Sequence, residues 1–550
     1  LGDNKVLCKY SKLKMHQKSI PQASTHWSTL FSREPSQGFL KSGISKTYPD
    51  CNPILFSMFS VISRRVTAPG KAIGFNVSRR GTHYHSPAPL ASLGYDYVTS
   101  SLSQVKDLFV DPVAIGSGAL QKKRVETVYL CAKSEFEAFR KTHLLTHKHA
   151  LQNMADLGTP LDSFPGEKLM RVPLLFPMHG SGPGSTAPPY SKVLFYDEDS
   201  SDKEGSFKPA FDIMNSNNYY EFKDAVSMGN EALSTATGGQ LCFAYAMYSY
   251  SLSIFKNKNK KKQAAGADSL QGSSSSSHVE EKAAIIWPRN TPKHACLGLA
   301  RAFYLMKSLV DSPALSLGPE ELGNVAAQLA LSFNTSAKHG TGHVELAVHV
   351  GADQLLGTDG TDVNQGLGYP QVAAVGMGSS SSRAPRVVDF TWSPELVSTA
   401  AASALPEVVL VGKGVTFDTG GLNVKGGNGM LTRKKDMAGA AQTLALASLI
   451  MHNKLPCKLR VLIPIAENNI SGSSVRPGDI IRARSGKTTE ITNTDAEGRL
   501  ILADCLVAAC ENKPGKPASN SGKRRLIIDF ATLTGAARVA LGNDLSAVFC

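Results

Sequence analysis

The chain has 550 residues, 42% hydrophobic and 19% charged, an ordinary balance for a soluble globular protein and enough for more than one domain. Its net charge of +14 would suit a nucleic-acid or membrane partner, but residues 1–90 hold 13 Lys/Arg against 3 Asp/Glu, so +10 of it belongs to an N-terminal extension. No apolar run reaches the ~20 residues that span a bilayer, and nine scattered cysteines without a C-x-x-C read as reduced thiols, not as a disulfide frame or zinc finger.

Residues 1–94 are basic, Ser-rich and without periodicity, with a short apolar run, Ile54–Ile62, ahead of Arg64 and Arg65. That pattern suits an organellar transit peptide or a disordered leader. Residues 95–290 are expected to form a smaller α/β domain for assembly or regulation. Val125–Cys131, Val172–Phe176 and Lys192–Tyr196 read as strands, Glu135–His149 as a helix, and Tyr219–Tyr250 as helical. Lys256–Glu281 is a Lys/Asn run followed by serines, a low-complexity insertion that cannot build a core. Ser379–Ser382 and Lys513–Arg525 are read in the same way.

Residues 291–550 are expected to form a second domain. Ala295–Ser308 reads as a linking helix. Glu407–Val411 and Leu459–Ala466 are buried-type strands, and Met437–His452 is a helix that starts just after Asp436. Asp479–Arg484 and Thr488–Thr492 flank Ser485-Gly486-Lys487 as a hairpin, Leu500–Cys510 is a helix, and Leu526–Phe530 is a strand. Strands alternating with helices imply an α/β fold, with a mixed, largely parallel sheet covered on both faces. Ligands of such sheets gather at strand ends and in the loops that follow.

The stretch with most chemistry is Asn493-Thr494-Asp495-Ala496-Glu497-Gly498-Arg499-Leu500. A polar turn capping a helix is its plainest reading. Two carboxylates two residues apart would point the same way in an extended segment, and they repel unless a cation lies between them. Oxygen-rich clusters of this kind suit Mg²⁺, Mn²⁺ or Zn²⁺. Gly498 removes a side chain where something must approach, and Arg499 adds a fork for an anion. Upstream lie Val411-Gly412-Lys413-Gly414-Val415-Thr416-Phe417-Asp418-Thr419-Gly420-Gly421, then Lys425 and Asp436. No histidine sits in either motif, which excludes H-E-x-x-H chemistry there.

Together the two motifs resemble the leucyl aminopeptidase (cytosol aminopeptidase) family of two-metal exopeptidases, closely over about 290–550 and weakly over 95–290. The resemblance implies two divalent ions, Zn²⁺ or Mn²⁺, held by Lys413, Asp418, Asp436, Asp495 and Glu497. Asp418 and Glu497 would bridge them, Asp495 would complete the exchangeable site, and Lys413 and Asp436 the tighter one. Lys413 can ligate only as the neutral amine, so two nearby cations must lower its pKa strongly. The ions would share one hydroxide that attacks the peptide carbonyl, with the substrate's free amine on one metal. Lys425 would stabilise the developing charge, and Arg499 would hold a bicarbonate acting as base. Thr532, Leu533 and Gly535 match the segment lining the substrate cleft, and Tyr369–Ser379 with Pro385–Val388 resembles the family's glycine-bearing loop leading into a strand, so the resemblance implies that 291–550 is the catalytic domain. Arg433 stands where the family usually has Met in its first specificity pocket, which puts a leucine preference in question.

The resulting expectation is a homohexameric, cytoplasmic metalloaminopeptidase acting on peptides with a free N-terminus, with no membrane contact. Organellar targeting by the extension is the alternative placement. The competing functions are a nucleic-acid-binding regulator and an inactive structural subunit of the hexamer. Family members continue past the position of Cys550, and Ala547-Val548-Phe549 reads as the start of a strand, so the chain is expected to be a fragment of a longer protein.

Overall fold

A computed structural model describes the chain between residues 97 and 549, chiefly 123–141, 165–172, 191–197, 205–225, 232–252, 282–337, 340–357, 368–395, 405–513 and 525–542. Residues 1–94 and the insertion at 256–281 lie almost wholly outside the described residues.

The first sheet is built from β1 (Phe109–Val110), β2 (Arg124–Ala132), β3 (Lys168–Val172), β4 (Ser191–Tyr196), β5 (Asn218–Asp224) and β6 (Ala284–Ile286). Its order is β1-β6-β5-β2-β4-β3, and only the β3–β4 pair is antiparallel. Helix α1 (Thr235–Ser249) follows β5, capped by Ser234, whose hydroxyl accepts from the Thr237 amide. The core between α1 and the sheet is aromatic: Tyr245, Phe211, Phe109 and Trp287 pack ring on ring.

Helix α2 (Lys293–Asp311) packs on α1 and leads to α3 (Pro319–Ser332). The second sheet holds β7 (Gly342–Val350), β8 (Arg386–Pro394), β9 (Glu407–Gly412), β10 (Gly414–Asp418), β11 (Lys458–Asn468) and β16 (Arg525–Phe530) in the order β16-β9-β11-β8-β7. β16, β9, β10 and β11 run parallel; β8 and β7 extend the sheet antiparallel. Two ribbons, β12 (Ile480–Arg482) with β13 (Thr488–Glu490) and β14 (Glu511–Lys513) with β15 (Lys516–Pro517), stand apart from it.

Helices α4 (Pro370–Gly376) and α6 (Glu497–Ala509) cover one face, where Val372, Ile501 and Cys505 meet Val409, Val411 and Leu462. Helix α5 (Ala438–His452), with α2 and α3, covers the other. Because successive strand residues point to opposite faces, a sheet covered twice needs continuous apolar strands, and Leu459 to Ala466 supplies one, interrupted only by Arg460. Arg460 is neutralised by Asp389 at 2.7 and 3.1 Å. The fold is therefore α/β, with the sheet architecture expected from the alternation of strands and helices.

Several elements differ from expectation. Tyr219–Tyr250 is not one helix: Asn218–Asp224 is a strand, and only Thr235–Ser249 is helical. Tyr219, Tyr220 and Phe222 favour a pleated, half-buried surface, and β2 offers a parallel partner along its length. Of the strand expected at Val172–Phe176, only Val172 is among the described residues, as the last residue of the strand Lys168–Val172. Of Glu135–His149, the described part is helical from Phe136 to Phe139, followed by a short π-turn. Tyr369–Ser379 is not a loop, because Pro370 starts helix α4. α3 and β7 were not foreseen. Ser379–Ser382 is ordered: the Ser379 hydroxyl donates to the Glu467 carbonyl, and Arg383 pairs with the Glu467 carboxylate. Ala547–Phe549 forms no strand, and Val548 and Phe549 are exposed. The six described cysteines are free thiols, and no described helix is long and apolar enough to cross a membrane.

Asp504, fully buried on α6, ties this helix to the loops around it. Its carboxylate accepts the backbone amides of Gln371 and Arg484, both at 2.8 Å. Burial pushes its pKa from 3.8 up to about 6 despite these bonds. The carboxyl therefore favours the folded state below pH 3.8, and that contribution is lost as pH rises through about 6. Asp504→Ala should cost roughly 2–4 kcal/mol in urea unfolding, because two buried amides lose their acceptor. Asp504→Asn keeps an acceptor, should cost less, and should remove this part of the pH dependence between 4 and 6. Equal stability of the Ala variant would mean that the amides find other partners.

Candidate active site

The strands deliver their last residues to one edge. β9 and β10 are one strand with a joint at Lys413: β9 pairs with β16 and the first half of β11, and β10 with the end of β11 alone. At the joint the Lys413 amide donates to the Phe530 carbonyl at 2.9 Å, and the Lys413 carbonyl accepts from Ala440 at 2.8 Å. The backbone is pinned on both sides, and the side chain, 2% exposed, is forced inward. Its ammonium lies 2.9 Å from Asp436 Oδ2 and 2.8 Å from Glu497 Oε1, and donates to the Thr532 carbonyl at 3.1 Å. Gly498 is what lets Lys413 through, since a Cβ there would fall 2.7 Å from both Cε and Nζ of the lysine.

Asp418 ends β10 in register with Asn468, the last residue of β11. Asp418 Oδ1 accepts from the Asn468 side-chain amide at 2.9 Å and from the Gly420 amide at 3.0 Å. Its Oδ2 lies 2.7 Å from the Lys425 ammonium, which also pairs with Asp495. Gly420, with φ +89°, turns its carbonyl to the Thr494 hydroxyl at 2.6 Å. Thr494 and Asn423 then exchange bonds: the Thr494 amide donates to Asn423 Oδ1 at 2.8 Å, and the Asn423 amide to the Thr494 hydroxyl at 2.9 Å. These contacts fasten the loop after β10 to the turn that carries Asp495.

That turn is not extended. Thr494–Ala496 is a 3₁₀ turn capped by Asn493, and Glu497 opens α6. Asp495 and Glu497 converge nevertheless, because the turn faces the end of β10 rather than because of strand alternation. One oxygen each from Asp418, Asp495 and Glu497 lies within 4.8 Å of the other two. Asp436 sits just before α5, where Thr532 donates to its Oδ1 at 2.7 Å and to its carbonyl at 3.0 Å. The structure thus brings Lys413, Asp418, Lys425, Asp436, Asp495 and Glu497 together, with Thr532 among them. Arg499 is exposed on the first turn of α6 and has no ion pair among the described residues. Arg433 lies three residues before Asp436, and its Nε donates to the Gly429 carbonyl at 2.9 Å. Leu533 is exposed, and Gly535 precedes the short helix Ala536–Leu541.

Burial dominates the electrostatics. It pushes the Glu497 carboxyl up to about 7, helped by Asp418 and Asp436 and opposed by Lys413. It also raises Asp436, in spite of Lys413. Burial would lower Lys413, but Asp436 and Glu497 outweigh it and hold its pKa above the ordinary lysine value. The protein's own charges thus stabilise the ammonium, and the lowered pKa expected of a ligating lysine is tied to cations placed beside it. Asp418 is held below the usual range, because hydrogen bonds from Lys425 and Asn468 overcome its burial. Lys425 is raised for the matching reason, with Asp418 and Asp495 overcoming burial.

Two ammonium groups face four carboxylates. Glu497 Oε2 is buried with no hydrogen-bond partner, and Asp436 Oδ2 has only the Lys413 ammonium beside it, at 2.9 Å. A buried carboxylate oxygen left without a partner, in a set of carboxylates with one amine, fits hard or borderline divalent cations. Asn468, read from sequence only as scaffolding, proves to orient Asp418, and its place at the end of a parallel strand was the available signal. Thr494 and Asn423 gave no such signal.

An open α/β sheet with a carboxylate–lysine cluster at its strand ends has its charged side chains where such sheets gather their ligands. Residues 304–550 match the model of the cytosol aminopeptidase family, catalytic domain. Among curated relatives, the chain is 40% identical over 250 residues to a probable cytosol aminopeptidase of Leifsonia xyli, covering 46% of this chain and 43% of that protein. It is 38% identical over 246 residues to peptidase B of Pectobacterium carotovorum, covering 44% and 49%. The crystal structure of the Coxiella burnetii cytosol aminopeptidase superposes with a TM-score of 0.55 at 27% identity, over 79% of this chain and 75% of that one. Residues 304–550 are therefore similar in sequence and fold to the catalytic domain of the cytosol aminopeptidase family. It matches less than half the length of these two curated relatives.

Gly498→Ala tests the packing of the centre. The new methyl must displace Lys413, so stability should fall by roughly 1–3 kcal/mol, as for other overpacked cores, and calorimetric Mn²⁺ affinity should fall with it. Unchanged values for both would show that Lys413 has room to move aside.

Proposed function

We propose that residues 291–550 are the catalytic domain of a metal-dependent aminopeptidase, with 95–290 as its smaller α/β domain. The observation that carries this reading is the buried, under-neutralised cluster at the strand ends, with Glu497 Oε2 lacking any hydrogen-bond partner. Lys413, Asp418, Asp436, Asp495 and Glu497 would hold two divalent ions, Mn²⁺ or Zn²⁺. When bound, such ions supply Lewis acidity and water activated at neutral pH. The chain's own groups do the rest. Asn468 and Gly420 aim Asp418, and Thr532 aims Asp436. Asp495 and Asp418 hold the Lys425 ammonium at the cluster, where it can stabilise negative charge developing on the scissile carbonyl oxygen. Arg499, exposed and without an ion pair among the described residues, would hold bicarbonate as proton acceptor. Thr532, Leu533, Gly535 and Arg433 would line the substrate cleft. Substrates would be peptides with a free N-terminus, cleaved one residue at a time. The hexamer and the cytosolic setting are proposed on the relatives' family alone, and no observation favours the nucleic-acid-binding alternative.

The deciding experiment strips metal, restores Mn²⁺, Zn²⁺ or Co²⁺ singly, and follows release of N-terminal residues from a peptide panel. Asp418→Ala and Glu497→Ala should lose both bound metal and activity. Lys425→Ala should keep its metal and lose roughly 10²–10³-fold in kcat, as when a donor to a developing oxyanion is removed. Full kcat in that variant would remove Lys425 from the mechanism.

Metal uptake should also depend on pH in a defined direction. With the Glu497 pKa near 7 and Lys413 protonated, protons compete with cations. Mn²⁺ affinity should rise from pH 6 to 8, with proton release measurable by calorimetry in two buffers of different ionisation enthalpy. A flat profile without proton release would mean that Glu497 and Lys413 are not ligands.

A further inference from the structure

Helices α2, α3 and α5 enclose a second cavity, of about 60 Å³ and partly open to solvent. It holds roughly four water-sized positions. His452, the last residue of α5, lines it, so it lies roughly 20 Å along that helix from the end beside Asp436. It is no part of the carboxylate–lysine centre. Leu305, Leu329 and Phe333 give it an apolar wall, and Arg301 gives it a positive charge. The Arg301 side chain has no hydrogen bond or ion pair with any described residue, and its Nε is buried. No carboxylate lines the cavity, and burial lowers the Arg301 pKa with no acid to offset it. The other polar groups of the lining are engaged. The Ser332 hydroxyl donates to the Leu329 carbonyl at 2.7 Å, and the Ser448 hydroxyl to the Ala445 carbonyl at 2.8 Å. His452 stacks on His294 at 3.9 Å, with its Nε2 3.1 Å from the His294 carbonyl. Gly298 leaves room for that ring, since a Cβ there would collide with it. Arg301 is thus the charged donor that the lining leaves unengaged. A water can bond to a buried N–H, but only an anion also compensates the charge.

We propose that the cavity between α2, α3 and α5 binds a short-chain aliphatic carboxylate, with its carboxylate on the Arg301 guanidinium and its carbon tail against Leu305, Leu329 and Phe333. The site is separate from the metal centre and does not rest on the aminopeptidase reading. The planar guanidinium fork matches the two oxygens of a carboxylate. The size of the cavity admits a carboxyl group with two or three further carbons. A free amino acid fits less well, because its ammonium would meet the Arg301 charge and no acid in the lining. Inorganic phosphate would answer the arginine and leave the apolar wall uncovered.

The test uses the full chain as purified and measures calorimetric binding of butyrate, butyramide, 2-aminobutyrate and inorganic phosphate. Butyrate should bind roughly tenfold or more tightly than butyramide, which lacks the charge. It should also bind more tightly than 2-aminobutyrate, which adds an ammonium, and than phosphate, which has no tail. Arg301→Gln should weaken butyrate by roughly tenfold or more, and Arg301→Lys by less, since it keeps the charge without the fork. Ser448→Leu, which fills the cavity and leaves Arg301 in place, should weaken it as well. Thermal melting checks the variants. Without ligand, Arg301→Gln should melt no lower than the parent protein, because it removes an uncompensated charge. With butyrate, the parent should melt higher and Arg301→Gln should not. Butyramide binding as tightly as butyrate, or no saturable butyrate binding at millimolar concentration, would overturn the proposal. Tighter binding of phosphate would overturn the carboxylate class. Butyrate affinity unchanged in Arg301→Gln or in Ser448→Leu would place the ligand elsewhere and overturn the site.

Discussion

The mutual repulsion of Asp418, Asp436, Asp495 and Glu497 is the constraint on which the rest of the catalytic half depends. Burying like charges together is costly, and removing one partner of a buried ion pair commonly costs about 3–5 kcal/mol. That is a large share of a typical domain stability of about 5–15 kcal/mol. The surrounding structure must therefore be firm. Lys413 is threaded between two strand segments and held by backbone bonds to β16 and α5. Its ammonium joins Asp436 to Glu497, as Lys425 joins Asp418 to Asp495. Each lysine thus balances one pair of carboxylates, and the remaining negative charge is what would draw divalent cations to the proposed centre.

The precision of the centre comes from short links between elements distant in sequence. Thr532 ties the end of β16 to Asp436, Asn468 ties β11 to Asp418, and Thr494 with Asn423 ties two loops together. None of these residues needs unusual reactivity. They hold the carboxylate oxygens still, so that reorganisation would be small if a cation or a developing charge were placed among them. The parallel strands make such an arrangement possible, because their ends and the starts of the following helices gather at one edge.

The sequence by itself determined much of this. Long apolar strands, the helix after Asp436 and the two motifs were legible because periodicity and local chemistry are written in neighbouring residues. The ligand candidates could be named from spacing and resemblance, and the structure brings them together. What only the tertiary structure decided were relations between distant segments. Tyr219–Phe222 became a strand because β2 was there to pair with it. Asp495 and Glu497 converge from a 3₁₀ turn and a helix start, not from an extended strand. Asn468 acquired its role from standing in register with Asp418 across fifty residues of chain. The physical reason is the same in each case. Propensity and pattern are properties of a segment, whereas pairing, burial and the pKa of a carboxyl are properties of whatever folding places beside it.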